Sequence, residues 1–205
     1  MGSRFLTALG STRLYPLTDR LISELPHREQ VAQLSRRGVT VIQLREKLLP
    51  ADEFYDEAAA ALVTARQLGV TIIINDRVDI ALALHADGVH LGQDDMPVEA
   101  ARRLLGPDAI IGVSTHNLEQ AQLASELPVD YIAIGPVFPT STKESSNPAL
   151  GLAGVASVRQ ALPNIPLVGI GGITAANCRD VLHAGADAVS IIRDLWVPKT
   201  DSKPS

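Results

Sequence analysis

The chain has 205 residues, 46% of them hydrophobic and 20% charged, with a formal net charge of -5. That is a globular composition for one domain, and its mild acidity with no basic run argues against general nucleic-acid binding. Aromatics at 3% leave no base-stacking platform, and the single cysteine, Cys178, excludes an internal disulfide framework and a multi-cysteine metal site.

The apolar runs are too short for a membrane span, and the start lacks the charged-apolar-small pattern of a secretory signal. Met1-Gly2 opens like a myristoylation site, but that motif wants Ser or Thr where Leu6 stands. The expected location is cytoplasmic. Residues 1–12 are expected to be a leader that covers the floor of the domain or is disordered, with the domain at 13–196 and a proline-containing tail at 197–205.

Eight short runs, most of them apolar on both faces and rich in Val and Ile, predict buried parallel strands at 14–19, 39–45, 71–76, 88–93, 110–115, 131–137, 167–172 and 188–193. Amphipathic stretches lie between them. The clearest is 51–68, with Phe54, Ala58, Ala61, Leu62, Ala65 and Leu68 on one stripe, Asp52 as a candidate cap and Gly69 after the end. A second helix is predicted over 174–183, capped by Thr174, with Gly185 just beyond. The fold class is α/β. Eight regular β/α units favour a closed (β/α)8 TIM barrel with a short or missing last helix over a doubly wound open sheet.

In such a barrel the chemistry sits at the carboxyl ends of the strands. Gln43, Arg45 and Lys47 alternate along the second strand and share one face. They either reach solvent past the strand end or form an anion site. The third and fourth strands deliver Asp76, Asp94 and Asp95 to neighbouring tips, where carboxylates beside an anion site suit Mg²⁺. Alternatives are a helix cap or a salt bridge with Arg77 for Asp76, and a cap before Pro97 for Asp94 and Asp95. His90 reads as a satisfied core histidine. The fifth strand brings Ser114, Thr115 and His116, the last a candidate acid or base. The loop after the sixth strand carries Thr140, Ser141, Thr142 and Lys143 and reads as a lid or as a solvated polar loop. Gly171-Gly172, between the seventh strand and the next helix, would let backbone N–H groups approach a phosphate. Two anion sites on opposite rims suggest group transfer between two phosphorylated substrates.

These motifs resemble the thiamine phosphate synthase family. They are Leu14-Tyr15-Pro16-Leu17-Thr18-Asp19, Gln43-Leu44-Arg45-Glu46-Lys47, Asn75-Asp76-Arg77-Val78-Asp79, and Gly88-Val89-His90-Leu91-Gly92-Gln93-Asp94-Asp95. Gly112-Val113-Ser114-Thr115-His116, the stretch 135–143 and Ile170-Gly171-Gly172-Ile173 complete the set, so the likeness spans about 14–195.

The resemblance implies joining of a hydroxymethylpyrimidine diphosphate to a thiazole phosphate, with loss of diphosphate by a dissociative, Mg²⁺-assisted route. It implies that Gln43, Leu44, Arg45, Glu46, Lys47 and Asn75 line the pyrimidine diphosphate, that Asp76 and Asp95 bind Mg²⁺, and that Ser114 and Lys143 hold the diphosphate. It places Thr140, Ser141 and Thr142 at the thiazole phosphate, and Gly172, Ile192 and Arg193 at its phosphate group. Arg45, Lys47, Ser114 and Lys143 would then be the catalytic set. Partners are small molecules, with room for a homo-oligomer and no nucleic acid or membrane.

Two departures stand out. The family commonly has Val-Ser where Ile192 and Arg193 stand, and it usually carries a full last helix. A guanidinium at 193 could fork onto a phosphate, turn outward to Asp194 or Asp187, or block the site. A thiazole tautomerase of the same fold, which would not need the paired aspartates or Lys143, and a non-catalytic phosphate-binding barrel are the alternatives.

Overall fold

The computed structural model describes residues 3–140 and 148–196. Eight parallel strands follow one another in sequence order: β1 (Leu17–Thr18), β2 (Val41–Leu44), β3 (Thr71–Asn75), β4 (Gly88–Leu91), β5 (Ile110–Thr115), β6 (Tyr131–Ile134), β7 (Leu167–Ile170) and β8 (Ala188–Ser190). The ring closes where Tyr15 donates its N–H to the Val189 carbonyl at 2.9 Å and Val189 donates to Arg13 at 3.0 Å. Closure pairs every edge, so the fold is a (β/α)8 barrel, not an open sheet.

The helices are α1 (Arg4–Leu9), α2 (Arg20–Ser23), α3 (His27–Arg36), α4 (Ala51–Leu68), α5 (Val78–Ala83), α6 (Val98–Leu105), α7 (Leu118–Ser125), α8 (Gly151–Ala161), α9 (Cys178–His183) and α10 (Arg193–Trp196). Among the described residues no helix is long and apolar enough to cross a membrane. Alternate strand residues build two cores. Ile42, Leu44, Ile72, Ile74, Val89, Leu91, Ile132 and Ile134 face outward and pack under the helices. Val41, Ile73, Ile110, Tyr131, Val168 and Ala188 face inward with Tyr15 and with Phe5 and Leu9 of α1. The first segment therefore plugs the amino-terminal end of the barrel: the Phe5 ring stacks on Tyr131 with centroids 4.1 Å apart.

Several local expectations need correction. The strands start close to where the pattern placed them, but most end early: β6 stops at Ile134 and β8 at Ser190. Their predicted continuations leave the ladder to form the loops of the mouth. Helix α4 has the predicted span, but Pro50 occupies its N-cap position and Asp52 lies in the first turn, where a carboxylate meets the positive end of the helix dipole. Its stripe is buried except Leu68, which is 47% exposed in the last turn. Helix α9 begins at Cys178, not Thr174. Thr174 donates its N–H to Asn177 Oδ1 at 2.8 Å, and that turn spends the residues expected as the first helical turn.

Candidate active site

The end of β2 divides its residues between two directions. Gln43 points into the barrel and is 1% exposed. Its Nε2 donates to Tyr15 Oη at 3.0 Å, and its Oε1 has no hydrogen-bond partner among the described residues. Leu44 faces outward into the helix-covered core, so only its backbone faces the strand end. Arg45 Nη1 donates to Asp19 Oδ2 at 2.5 Å, which anchors the guanidinium at the rim. Lys47 pairs with Asp76.

Glu46 does different work. Its Oε1 accepts the N–H groups of Lys47 and Leu48 at 2.8 Å each and of Leu49 at 3.4 Å. Its Oε2 stands 3.6 Å from Nε2 of the buried His27. Burial opposes ionisation of Glu46, but the three N–H donors outweigh it and hold the carboxyl below its ordinary range. Burial drives His27 the other way, to a lowered pKa, against the pull of Glu46 and Glu57. Glu46 thus shapes the loop that carries Lys47.

The third and fourth strand tips bring Asp76 and Asp95 together. Asp76 adopts φ 61°, a left-handed conformation that a non-glycine residue holds only when its surroundings enforce it. Its N–H donates to the His90 carbonyl at 2.8 Å, which fixes the turn. Asp95 Oδ2 accepts the Gly92 N–H at 2.6 Å. A Cβ at position 92 would lie 2.9 Å from that oxygen, so glycine makes the close approach feasible. Burial pushes the Asp95 carboxyl above its ordinary range; the Gly92 N–H opposes this, and the neighbouring Asp76 carboxylate adds to it. Asp76 is committed to Lys47, not Arg77, which pairs with Asp79. Neither Asp94 nor Asp95 caps α6, whose N-cap position is Pro97. Asp94 is exposed.

The donor chemistry fits a hard divalent cation. Two crowded carboxylates, one of them resisting ionisation, would gain by sharing a metal. Among the described residues no group of three or more His, Cys, Asp or Glu could hold a metal ion. The remaining ligands would be phosphate oxygens and water, the usual arrangement for Mg²⁺.

Unpartnered polar atoms gather inside the barrel. Besides Gln43 Oε1, both Asn75 Nδ2 and Ser190 Oγ are buried without a hydrogen-bond partner among the described residues. Such atoms cost about 1–3 kcal/mol each until something binds them. Ser114 Oγ stands 2.8 Å from His90 Nε2. His116 is occupied elsewhere: its Nδ1 lies 2.7 Å from the Gly135 carbonyl, so that nitrogen carries the proton and holds the loop after β6. Thr115, also expected at this strand end, is turned away and donates to the Ala133 carbonyl at 3.0 Å.

The glycine pair after β7 has φ 93° at Gly171 and 64° at Gly172. A Cβ at Gly171 would lie 2.7 Å from Pro136, and one at Gly172 would lie 2.6 Å from the Pro139 carbonyl oxygen. The pair is therefore also required because 136–139 packs directly over it. Thr140 follows that stretch. Ser141, Thr142 and Lys143, with the expected lid, lie outside the described residues.

Ile192 follows the end of β8, and Arg193 opens α10 instead of ending the strand. Arg193 is exposed. Of its two expected acidic partners, Asp187 pairs with Arg159 and Asp194 accepts the Ala175 N–H at 2.8 Å.

Comparison with known proteins identifies the family of the chain. A profile for the family described as thiamine monophosphate synthase matches residues 14–195. The chain belongs to this family. A thiamine-phosphate synthase of Chloroflexus aurantiacus is 45% identical over 181 residues, covering 88% of this chain and 83% of the relative. One from Albidiferax ferrireducens is 45% identical over 188 residues, covering 91% and 85%. The solved thiamine phosphate pyrophosphorylase of Pyrococcus furiosus superposes with a TM-score of 0.79 at 38% identity, covering 87% of this chain and 84% of that one.

Three residues escaped sequence reasoning: Asp19 at the mouth, and Tyr15 and Tyr131 in the interior beneath it. The sequence reads His90 as a satisfied core histidine. It is buried, and it also touches Ser114. The available signal was parity: His90 alternates with Val89 and Leu91, which face the helices, so it falls on the inward face of its strand.

Proposed function

We propose that the chain is a thiamine phosphate synthase, a transferase that joins 4-amino-2-methyl-5-hydroxymethylpyrimidine diphosphate to a thiazole phosphate and releases diphosphate with Mg²⁺. The observation that carries this reading is the pairing, at one mouth, of the Asp76–Asp95 carboxylates and Lys47 with the amide atoms of Gln43 and Asn75 that are unpartnered among the described residues. The first set suits a metal-bound diphosphate and the second a neutral heteroaromatic ring bearing both donors and acceptors.

The residues' own tasks follow. Gln43 offers an acceptor and Asn75 a donor from buried positions, so a ring that satisfies both is preferred over one that does not. Arg45 and Lys47 offset the negative charge that grows on the departing diphosphate. Arg45 is already oriented by Asp19, which limits the reorganisation needed on binding. Ser114 supplies a hydroxyl to the same anion, and Lys143 is assigned to it by the family resemblance. Mg²⁺, when bound by Asp76 and Asp95, would stabilise the leaving group's charge. No protein nucleophile is required if diphosphate departs before the thiazole nitrogen bonds to the pyrimidine methylene. Phe5, Tyr15 and Tyr131 seal the interior below, which keeps water from a reactive cation. Gly171, Gly172, Ile192 and Arg193 form the rim assigned to the thiazole phosphate.

The test is a coupling assay with both phosphorylated substrates and Mg²⁺, with product identified by mass. Product that vanishes in EDTA and returns on adding Mg²⁺ is expected. No product, or equal product in EDTA, would overturn the activity or the metal requirement respectively.

A further inference from the structure

A line of hydrogen bonds crosses the barrel interior from β2 to β5. Gln43 Nε2 meets Tyr15 Oη at 3.0 Å, Tyr15 Oη meets Tyr131 Oη at 2.7 Å, Tyr131 Oη meets His90 Nδ1 at 2.8 Å, and His90 Nε2 meets Ser114 Oγ at 2.8 Å. Burial pushes both tyrosine hydroxyls up, at Tyr15 against its hydrogen bonds with Tyr131 and Gln43, so each keeps its proton.

Counting protons then gives the line a direction. The amide N–H of Gln43 donates, so Tyr15 Oη accepts there. Its own proton has one remaining described neighbour, Tyr131. The Tyr131 proton in turn goes to His90 Nδ1, which must be the unprotonated ring nitrogen. The other nitrogen, Nε2, carries the proton and donates it to Ser114 Oγ. The Ser114 hydroxyl proton is left to point at a ligand. Reversing the line with Gln43 as placed would bury the Tyr15 proton without an acceptor.

We propose that His90 is a positioning residue that holds Ser114 as a hydrogen-bond donor toward the diphosphate, with its tautomer set from the far end of the line by Gln43. This deepens the reading of the site as a diphosphate site. The line is built into the barrel rather than incidental. A Cβ at Gly112 would lie 2.0 Å from the Tyr131 ring and 2.4 Å from its hydroxyl, so the glycine makes room for that hydroxyl. His90 stacks on the same ring with centroids 5.6 Å apart.

The consequence is a coupling between two ends of one substrate site. While Gln43 keeps its oxygen free for a ligand N–H, Ser114 is a donor. Turning the Gln43 amide over would let Tyr15 donate to it. Each proton would then shift back along the line, leaving Ser114 to donate to His90 instead of to the anion.

Nitrogen-15 NMR of the whole protein reads the tautomer directly. His90 protonated on Nε2 is expected, and protonation on Nδ1 overturns the proposal. Gln43→Glu replaces the donor with an acceptor and should switch His90 to the Nδ1–H form; an unchanged tautomer in folded Gln43→Glu refutes the link to Gln43. The second measurement is calorimetric binding of inorganic diphosphate with Mg²⁺. Tyr131→Phe, which keeps the ring, and Ser114→Ala should each weaken binding about 5–10-fold, the worth of about one hydrogen bond. The double variant should be no weaker than Ser114→Ala alone, since Tyr131 acts through that hydroxyl. Multiplicative losses would mean that Tyr131 acts only on the scaffold, and would overturn the proposal. Failure of the wild-type protein to bind diphosphate at all would count against the site's function, while the tautomer measurement would still decide the line itself.

Discussion

The two ends of the barrel treat polar groups in opposite ways. At the floor three aspartates are committed to strand backbone. Asp130 Oδ2 accepts the Ile111 N–H at 2.9 Å and an Arg102 guanidinium N–H at 2.6 Å. Asp187 Oδ2 accepts the Leu167 N–H at 2.8 Å and an Arg159 N–H at 2.5 Å. Asp87 takes the Ile72 N–H at 2.7 Å, and there Arg66 bonds the neighbouring carbonyls of Leu84 and His85. The same device recurs three times: an aspartate just before an even-numbered strand holds the odd-numbered strand before it, with an arginine from an even-numbered helix alongside. At the mouth, Gln43, Asn75 and Ser190 keep atoms unpartnered among the described residues, Asp76 sits in a left-handed turn, and two carboxylates crowd each other. The contrast teaches where stability and function reside. The floor spends its polar groups on strand register, and the mouth withholds them for a ligand.

The sharpest way to break this comparison is at the mouth. Asp76→Ala or Asp95→Ala should lower turnover at least ~10²-fold, the scale for loss of one charge-stabilising element. Both proteins should melt close to wild type, because neither carboxylate ties strands together. Asp94→Ala, at an exposed position, should retain most activity. Equal losses at Asp94 and Asp95 in steady-state assays would mean that the wrong carboxylate has been assigned.

Asp130→Ala should show the reverse pattern. It removes the counter-charge of the partly buried Arg102 and the side-chain acceptor of the Ile111 N–H together. A stability loss of about 2–4 kcal/mol in urea unfolding is expected, with kcat within about twofold of wild type below the melting transition. A large kcat defect in folded protein would erase the division between floor and mouth.

The pH response sharpens the comparison further. His27 has a folded pKa below its ordinary value because of burial, so the folded state prefers the neutral ring. Its contribution is present above the ordinary histidine pKa of about 6.5 and is lost as pH falls from there toward the folded value. Glu46, with a lowered pKa, loses its contribution at more acid pH as it protonates. Asp95, with a raised pKa, has the opposite sign: its contribution is greatest in acid and is lost as pH rises from the ordinary aspartate range through its folded value. Melting curves between pH 7.5 and 5.5 should show a smaller acid loss for His27→Asn than for wild type. Parallel losses in the two proteins would rule out His27 as the source.

The smallest expected effect is at Arg193. Exposed at the start of α10, its charge is screened by water. Arg193→Glu should raise the KM for the thiazole phosphate by no more than about 5-fold, with the difference shrinking at high salt. A much larger increase that persists in salt would place the guanidinium on the phosphate.

Much of this molecule is legible in its sequence because buried parallel strands carry a strong local signal. The run 110–115 is strand β5 from end to end, and Gly69 takes a left-handed conformation at φ 67°, closing α4 where the stripe ends. The aspartates at 76 and 95 stand at strand tips because the apolar pattern stops there. The pattern could not show where β6 and β8 end, since Val137 and Ile191 are as apolar as any strand residue and are buried in the loops that follow. Nor could it give Glu46 its place. Three N–H groups and His27 surround that carboxyl because the loop folds back on it, and no spacing records that.

By itself, then, the sequence determined the order of the eight units, the apolar shell under the helices and the residues available at the strand tips. Those follow from hydrophobic period and local turn chemistry, which act over a few residues. The tertiary structure alone decided what meets inside the barrel. Tyr15 and Tyr131 stand 116 positions apart in the chain, yet share one hydrogen bond. Tyr131 and His90 are 41 apart, and both lie on the path to Ser114. Strand tilt and closure bring inward side chains from distant strands to one place, and in that dry interior each polar atom must be matched or left open. That matching depends on the closed barrel as a whole.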